Sequence, residues 1–144
     1  MVHAVGALFL LVGFASDMAS TPISLIPETQ DLRLYGGDGV RLRLIVTNSA
    51  GEPINLTGSL AAQVRSSRTI SEIRADFTTT IVDAVNGIVE LSLTGDQTAG
   101  LHGDPTAPVE RFLGVWDIQW TAQDAEPVTI LQGAVESNLD VTRL

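Results

Sequence analysis

Residues 77–93 read FTTTIVDAVNGIVELSL, which is two alternating runs joined by a turn. Apolar or β-branched residues recur at every second position of each run, a period typical of strands with one buried face. Asn-Gly between such runs is a strong hairpin signal, because both residues tolerate positive φ. The stretch therefore predicts an antiparallel hairpin. The inward positions are Phe77, Thr79 and Ile81 in the first run and Val89, Leu91 and Leu93 in the second.

The same period recurs on both sides of this hairpin. It predicts further strands at 32–34, 40–46, 60–65, 111–122 and 127–136, with the first hairpin strand beginning at 73. With about seven or eight short strands, the chain matches a two-sheet fold. One helical turn is predicted at 94–101, capped by Thr94 or Asp96. Turn composition marks 48–53, and a short tail follows at 139–143. The fold class is predicted to be all-β, a single antiparallel Ig-like β-sandwich over residues 21–144.

Residues 1–20 are predicted to be an apolar N-terminal extension. Its apolar run at 4–15 is too short to span a bilayer, which needs about 20 residues. One interpretation is that the real translation start is Met18, which opens a polar segment, and that the assigned start lies upstream of it. Another is a signal peptide, although His3 is the only basic candidate in its n-region. A third gives the run a tertiary role, in which case it needs an apolar partner.

The charge and cysteine content of the chain exclude some binding partners and some kinds of site. The chain has 17 acidic residues, eight arginines and no lysine, with a formal net charge of -9. Nucleic-acid binding requires clustered basic residues, so no nucleic acid is predicted as partner. The absence of cysteine removes disulfides and cysteine-based zinc sites.

No catalytic, cofactor-binding or metal-binding residue is predicted, and neither is a small-molecule substrate. His102 is the only histidine in the folded part, so it has no second histidine for a zinc site. Turns at 36–39 and 102–104 contain too few acidic residues for a calcium loop. Trp116 and Trp120 could form an aromatic platform for sugar, but their strand position predicts core. The chain is predicted not to be an enzyme.

The order of strand and turn segments resembles that of small tail-associated β-sandwich proteins of tailed bacteriophages, nearest to the N-terminal domain of phage baseplate upper proteins. The resemblance covers about residues 32–143. It is carried by 38–44, 51–58, 62–65, 86–93, 115–119, Gly133 and 140–143.

This resemblance implies a non-enzymatic virion protein of a phage tail. Such a protein docks on neighbouring tail or baseplate subunits and is oligomeric in the assembled particle. The shortness of the apolar run separately predicts no stable membrane span. Residues 101–110, which are also predicted to be a mobile loop, and the segment before Asp31 are then the expected contact regions. A capsid decoration protein and a secreted bacterial Ig-like binding or adhesion domain are the alternatives. The secreted alternative requires residues 1–20 to contain a signal peptide.

Overall fold

The computed structural model describes residues 2–4, 8–14, 28–48 and 52–139. These residues form eleven strands and one short helix. The strands are β1 (Val2–Ala4), β2 (Leu8–Phe14), β3 (Glu28–Thr29), β4 (Leu32–Gly36), β5 (Val40–Asn48), β6 (Ser59–Arg65), β7 (Ala75–Asp76), β8 (Thr78–Asp83), β9 (Ile88–Leu93), β10 (Arg111–Thr121) and β11 (Val128–Leu139). The helix α1 spans Gly95–Gly100.

The strands form two sheets, which confirms the predicted all-β sandwich. One sheet has five strands in the order β1-β2-β5-β9-β8. The other has six, in the order β3-β11-β10-β6-β7, with β4 also paired to β11. Alternate side chains of both sheets meet in one core, so that Leu44, Val89, Ala62 and Ile118 are fully buried.

Three strand pairs are parallel, which the expectation of a purely antiparallel sandwich did not include. These are β2 with β5, β3 with β11, and β4 with β11. Parallel strands cannot be joined by a tight turn. Here β4 and β11 lie about a hundred residues apart along the chain, so their pairing depends on the tertiary fold and leaves no local signal.

The predicted strand at 73–82 is divided between the two sheets. Its first part, β7, pairs with β6, whereas β8 pairs with β9 in the other sheet. The chain crosses at Phe77, whose N–H donates to the Ala62 carbonyl at 2.9 Å. The Phe77 ring packs on Trp116 with 5.8 Å between ring centroids. Ile73 lies outside both strands and is exposed.

The predicted hairpin joins β8 and β9. Gly87 adopts φ +68°, and a Cβ there would meet the Val46 carbonyl oxygen at 2.5 Å. The Asp83 carboxylate accepts hydrogen bonds from the backbone N–H and the side-chain amide of Asn86. Gly87 is therefore required both by its backbone conformation and by the close approach of β5.

The predicted helical turn is present as α1, with Thr94 as its N-cap. Thr94 and Gln97 form a reciprocal capping box. Thr98 is fully buried, and its hydroxyl donates to the Asp38 carbonyl at 2.8 Å and accepts from the Gly37 N–H at 3.0 Å. These bonds hold α1 against the turn between β4 and β5.

Near the N-terminus, β2 pairs with β5 from Leu8↔Leu42 to Phe14↔Asn48, and β1 pairs with β2. The predicted boundary at residue 20 stays a prediction. Parts of the predicted turn at 48–53, the tail at 139–143 and the contact region before Asp31 lie outside the described residues.

Candidate functional site

Both tryptophans belong to the core side of β10, as their spacing predicts. Trp116 is 2% exposed, and its indole N–H donates to the Gln30 carbonyl at 2.7 Å. Trp120 packs against the core and donates to the Thr57 carbonyl at 2.8 Å. Trp116 is too deeply buried to stack on a ligand, and Trp120 is half-buried against the core, so these positions agree better with the predicted core role than with an aromatic platform for sugar.

The residues that alternate with this core side form the outer face of the six-stranded sheet. In the middle of that face lies a cleft of about 310 Å³, here called the Asp117 groove. Cross-strand register places Asp117 of β10 directly between Gln63 of β6 and Gln132 of β11. The polar lining of the groove consists of Gln63, Arg65, Arg68, Asp117 and Gln119.

Asp117 is a half-buried carboxylate in a mixed-charge setting. Burial raises its pKa, while the positive charges of Arg65 and Arg68 act in the opposite direction. Arg65 donates to the Gln63 side-chain oxygen at 2.9 Å, and Arg68 donates to that of Gln132 at 2.8 Å. Among the described residues, nothing donates a hydrogen bond to the Asp117 carboxylate, and no cation lies within 4.0 Å of it.

A second feature lies on the same face near the Arg111 end of β10. Tyr35, Val109 and Leu113, here called the Tyr35 patch, have exposed fractions of 55%, 54% and 59%. Between them, Glu136 forms an ion pair with Arg111 at 3.4 Å. The pKa of Glu136 is lowered chiefly by a hydrogen bond from Asn138, and Arg111 adds to this effect. Protein contact surfaces usually combine exposed apolar side chains with charged and polar groups at the rim, and the Tyr35 patch contains both kinds.

The loop at 101–110 borders the Tyr35 patch and is fixed at its base by His102. This side chain is 1% exposed. Its Nδ1 lies 2.7 Å from the Val109 carbonyl oxygen, and its Nε2 lies 2.8 Å from the Ser137 hydroxyl. The Leu101 carbonyl accepts from Arg74 at 2.9 Å. His102 is therefore a structural residue that ties the loop to β11, and the predicted mobility of the loop stays a prediction.

The tip of the same loop is a local turn. Asp104 accepts hydrogen bonds from the Thr106 backbone N–H at 2.9 Å and from its hydroxyl at 2.8 Å. These bonds, led by the backbone one, lower the pKa of Asp104. The calcium interpretation of this loop has no structural support, because Asp104 already binds its own turn.

Metal and membrane features were searched over the residues that the structure describes. No group of three or more His, Cys, Asp or Glu side chains there is arranged to hold a metal ion. None of the helices in that part of the chain has the length and hydropathy to cross a bilayer.

Sequence reasoning missed the Asp117 groove. Polar residues alternating with apolar ones at 63–65 and 117–119 were visible, and they mark an outward face. The pairing of β6 with β10 and the position of Arg68 over this face were not visible, because both depend on contacts across some fifty residues.

Several solved structures resemble this chain, and two of them show the likeness to be loose. The chain is similar to the N-terminal domain of ORF48 of phage TP901-1, with 12% identity, a TM-score of 0.39, and coverage of 92% of this chain and 98% of that one. It is also similar to the bradyzoite-specific antigen BSR4 of Toxoplasma gondii, with 8% identity and a TM-score of 0.32, spanning 99% of this chain and 51% of the antigen. Both TM-scores lie below 0.5. No family model and no curated protein matches the sequence.

Proposed function

We propose that this protein is a non-enzymatic structural subunit of a bacteriophage virion. It docks onto neighbouring tail or baseplate subunits through the Tyr35 patch and the adjoining loop at 101–110. The reason for proposing a phage tail is that the order of its strands and turns resembles that of phage tail proteins. The exposed apolar side chains of the Tyr35 patch support the choice of docking surface.

The observation that carries the docking surface is the combination of exposure with rigid support. Leu113 is 59% exposed, and its backbone is held by pairing with Glu136 of β11, whereas the pairing of β10 with β6 begins only at Val115. Val109 is held by two bonds with His102, since its N–H also donates to the His102 carbonyl at 2.9 Å. An apolar surface that is already ordered loses little conformational entropy on binding.

The first prediction concerns Leu113→Asp. If this residue is buried against a neighbouring subunit, the variant places an unpaired charge in the interface. We expect its incorporation into particles to fall by about tenfold or more, because such centrally buried residues dominate binding. The measurement is quantitative immunoblotting of purified particles assembled with the variant in place of the wild-type protein.

The matched control is Val85→Asp in the β8–β9 turn, where Val85 is 67% exposed. It introduces the same charge far from the Tyr35 patch and should leave incorporation unchanged. Equal incorporation of both variants would reject the Tyr35 patch as the interface. Recovery of the wild-type protein with heads instead of tails would favour a capsid decoration protein, and its appearance in the medium without particles would favour the secreted domain.

A further inference from the structure

The Asp117 groove contains a carboxylate and two guanidinium groups that share one cleft without touching. Arg65 and Arg68 both act on Asp117 through their charge, yet neither forms an ion pair with it within 4.0 Å. A group that fits between them must accept hydrogen bonds from N–H donors and also donate to a carboxylate oxygen. This requirement selects the chemistry of the ligand.

A hydroxyl group satisfies it, because a hydroxyl has one donor and two acceptor sites. A carboxylate or phosphate only accepts, so it would pair with the arginines and be repelled by Asp117. An ammonium or guanidinium only donates, so it would pair with Asp117 and be repelled by the arginines. A neutral, hydroxyl-bearing ligand is therefore compatible with all three charges, and a zwitterion whose ammonium faces Asp117 and whose carboxylate faces the arginines is the charged alternative.

Both arginines of the groove have an amide partner, part-buried for Arg65 and exposed for Arg68. Each guanidinium has five N–H donors, and the described contacts to Gln63 and Gln132 occupy one in each. These amide contacts orient the two arginines while leaving their other donors available. Groups held in advance lose less entropy on binding than groups that must first be ordered.

The size of the groove suits a small ligand. Its volume is about 310 Å³, at the lower end of the roughly 300–1,000 Å³ usual for binding clefts. Ala61 and Val115 give part of the lining an apolar character that can contact C–H groups. Several polar groups beside such a surface match a pyranose ring, which carries several hydroxyls, better than a single amide.

We propose that the Asp117 groove binds one neutral saccharide unit, whose vicinal hydroxyls donate to Asp117 and accept from Arg65 and Arg68. This site is separate from the Tyr35 patch and does not depend on the proposed docking. The saccharide is either free or the end of a surface glycan, since both present the same hydroxyls.

The second prediction is that neutral glycosides bind in the Asp117 groove. NMR titration of the full chain, with amide chemical shifts recorded, tests it. The probes are methyl glycosides of neutral hexoses, a neutral oligosaccharide, acetate, guanidinium and N-methylacetamide. We expect the glycosides to shift the amides of Gln63, Asp117 and Gln119. Tighter binding of the oligosaccharide than of the glycosides would identify a glycan end as the source, and equal binding a free sugar.

Two variants make the test specific. Asp117→Asn retains the shape but removes the charged acceptor, and it should weaken glycoside binding by roughly tenfold. Arg68→Gln should weaken it similarly, whereas Asp124→Asn, in the exposed β10–β11 turn, should have no effect. The proposal is overturned if no neutral saccharide shifts these amides, if acetate, guanidinium or glycine, added as a zwitterionic probe, binds more tightly, or if N-methylacetamide binds equally well.

Discussion

At the scale of single residues, the buried side chain of His102 and the half-buried side chain of Asp117 have different roles. His102 is enclosed by the core, and both of its ring nitrogens have partners. Asp117 faces outward, lacks a hydrogen-bond donor among the described residues, and has a pKa raised by burial. A satisfied buried group contributes to stability, whereas a partly desolvated and unpaired one costs stability and is available for binding.

The third prediction follows from the pKa of Asp117. This pKa is raised above its ordinary value of 3.8 in the folded protein, so the folded state binds a proton more tightly than the unfolded state. The contribution of Asp117 to the free energy of unfolding therefore falls as pH rises through its folded pKa. Below pH 3.8 the carboxyl group is protonated in both states, and the cost of ionising it in the folded protein disappears. The free energy of unfolding of Asp117→Asn, relative to that of wild type, should therefore increase as pH rises from acid to neutral. The increase should be less than about 1 kcal/mol, because water screens the site.

Urea denaturation at a series of pH values measures this difference. Asp124→Asn is again the control, because Asp124 is exposed in a turn with φ +59°, a conformation that Asn tolerates. Its difference from wild type should not follow the same trend. A stability difference for Asp117→Asn that is constant with pH would contradict the predicted cost of ionisation.

At the scale of elements, β11 is the strand on which the six-stranded sheet depends. It pairs antiparallel with β10 and parallel with both β3 and β4. Gly133 lies where the Gln30 carbonyl approaches β11, and that carbonyl accepts the Trp116 indole N–H. The absence of a side chain at Gly133 therefore lets the segment between β3 and β4 reach the core tryptophan.

The fourth prediction is that Gly133→Ala destabilises the protein by more than about 2 kcal/mol. Its Cβ would collide with the Gln30 backbone, and moving that backbone would break the bond to Trp116. Chemical denaturation followed by tryptophan fluorescence reports both effects. Gly100→Ala is the control, since no atom lies within 4 Å of its added Cβ, and it should be neutral or slightly stabilising. Equal stability of the two variants would show that β11 does not need the close approach.

At the scale of the whole molecule, the N-terminal strands β1 and β2 join the sandwich at one edge of the five-stranded sheet. Strand β2 covers β5 along its length, from Leu8↔Leu42 to Phe14↔Asn48. Without β2, the N–H and C=O groups on that side of β5 would be unpaired. An uncovered edge of this kind promotes association with other chains.

The fifth prediction compares the full chain with a chain that begins at Met18. The shorter chain should lose several kcal/mol of stability, because each ladder hydrogen bond contributes about 1 kcal/mol. It should also associate through β5. Denaturation and light scattering measure the two effects. Unchanged stability and a monomeric shorter chain would instead favour the interpretation of residues 1–20 as a misassigned start or a signal peptide.

Local patterns were sufficient to predict most strands, because the inward positions of a strand are set by neighbours two residues away. Val89, Leu91 and Leu93 were predicted to face the core, and they are buried. Thr94 or Asp96 was predicted as the helix cap from residue type, and the structure shows that Thr94 is the cap, since its hydroxyl accepts from the Gln97 N–H three residues later. The crossing at Phe77 was not predicted, because nothing in 73–82 indicates which sheet pairs with each half.

The amino-acid sequence by itself determined that this protein is built of strands, where its turns lie, and which side of each strand is apolar. These properties depend on backbone preferences and on side-chain alternation over a few residues. The partners of β4 and β2, the change of sheet at Phe77 and the meeting of Asp117 with Arg65 and Arg68 were decided by tertiary structure. They depend on the packing of distant segments around one core, which no local pattern records.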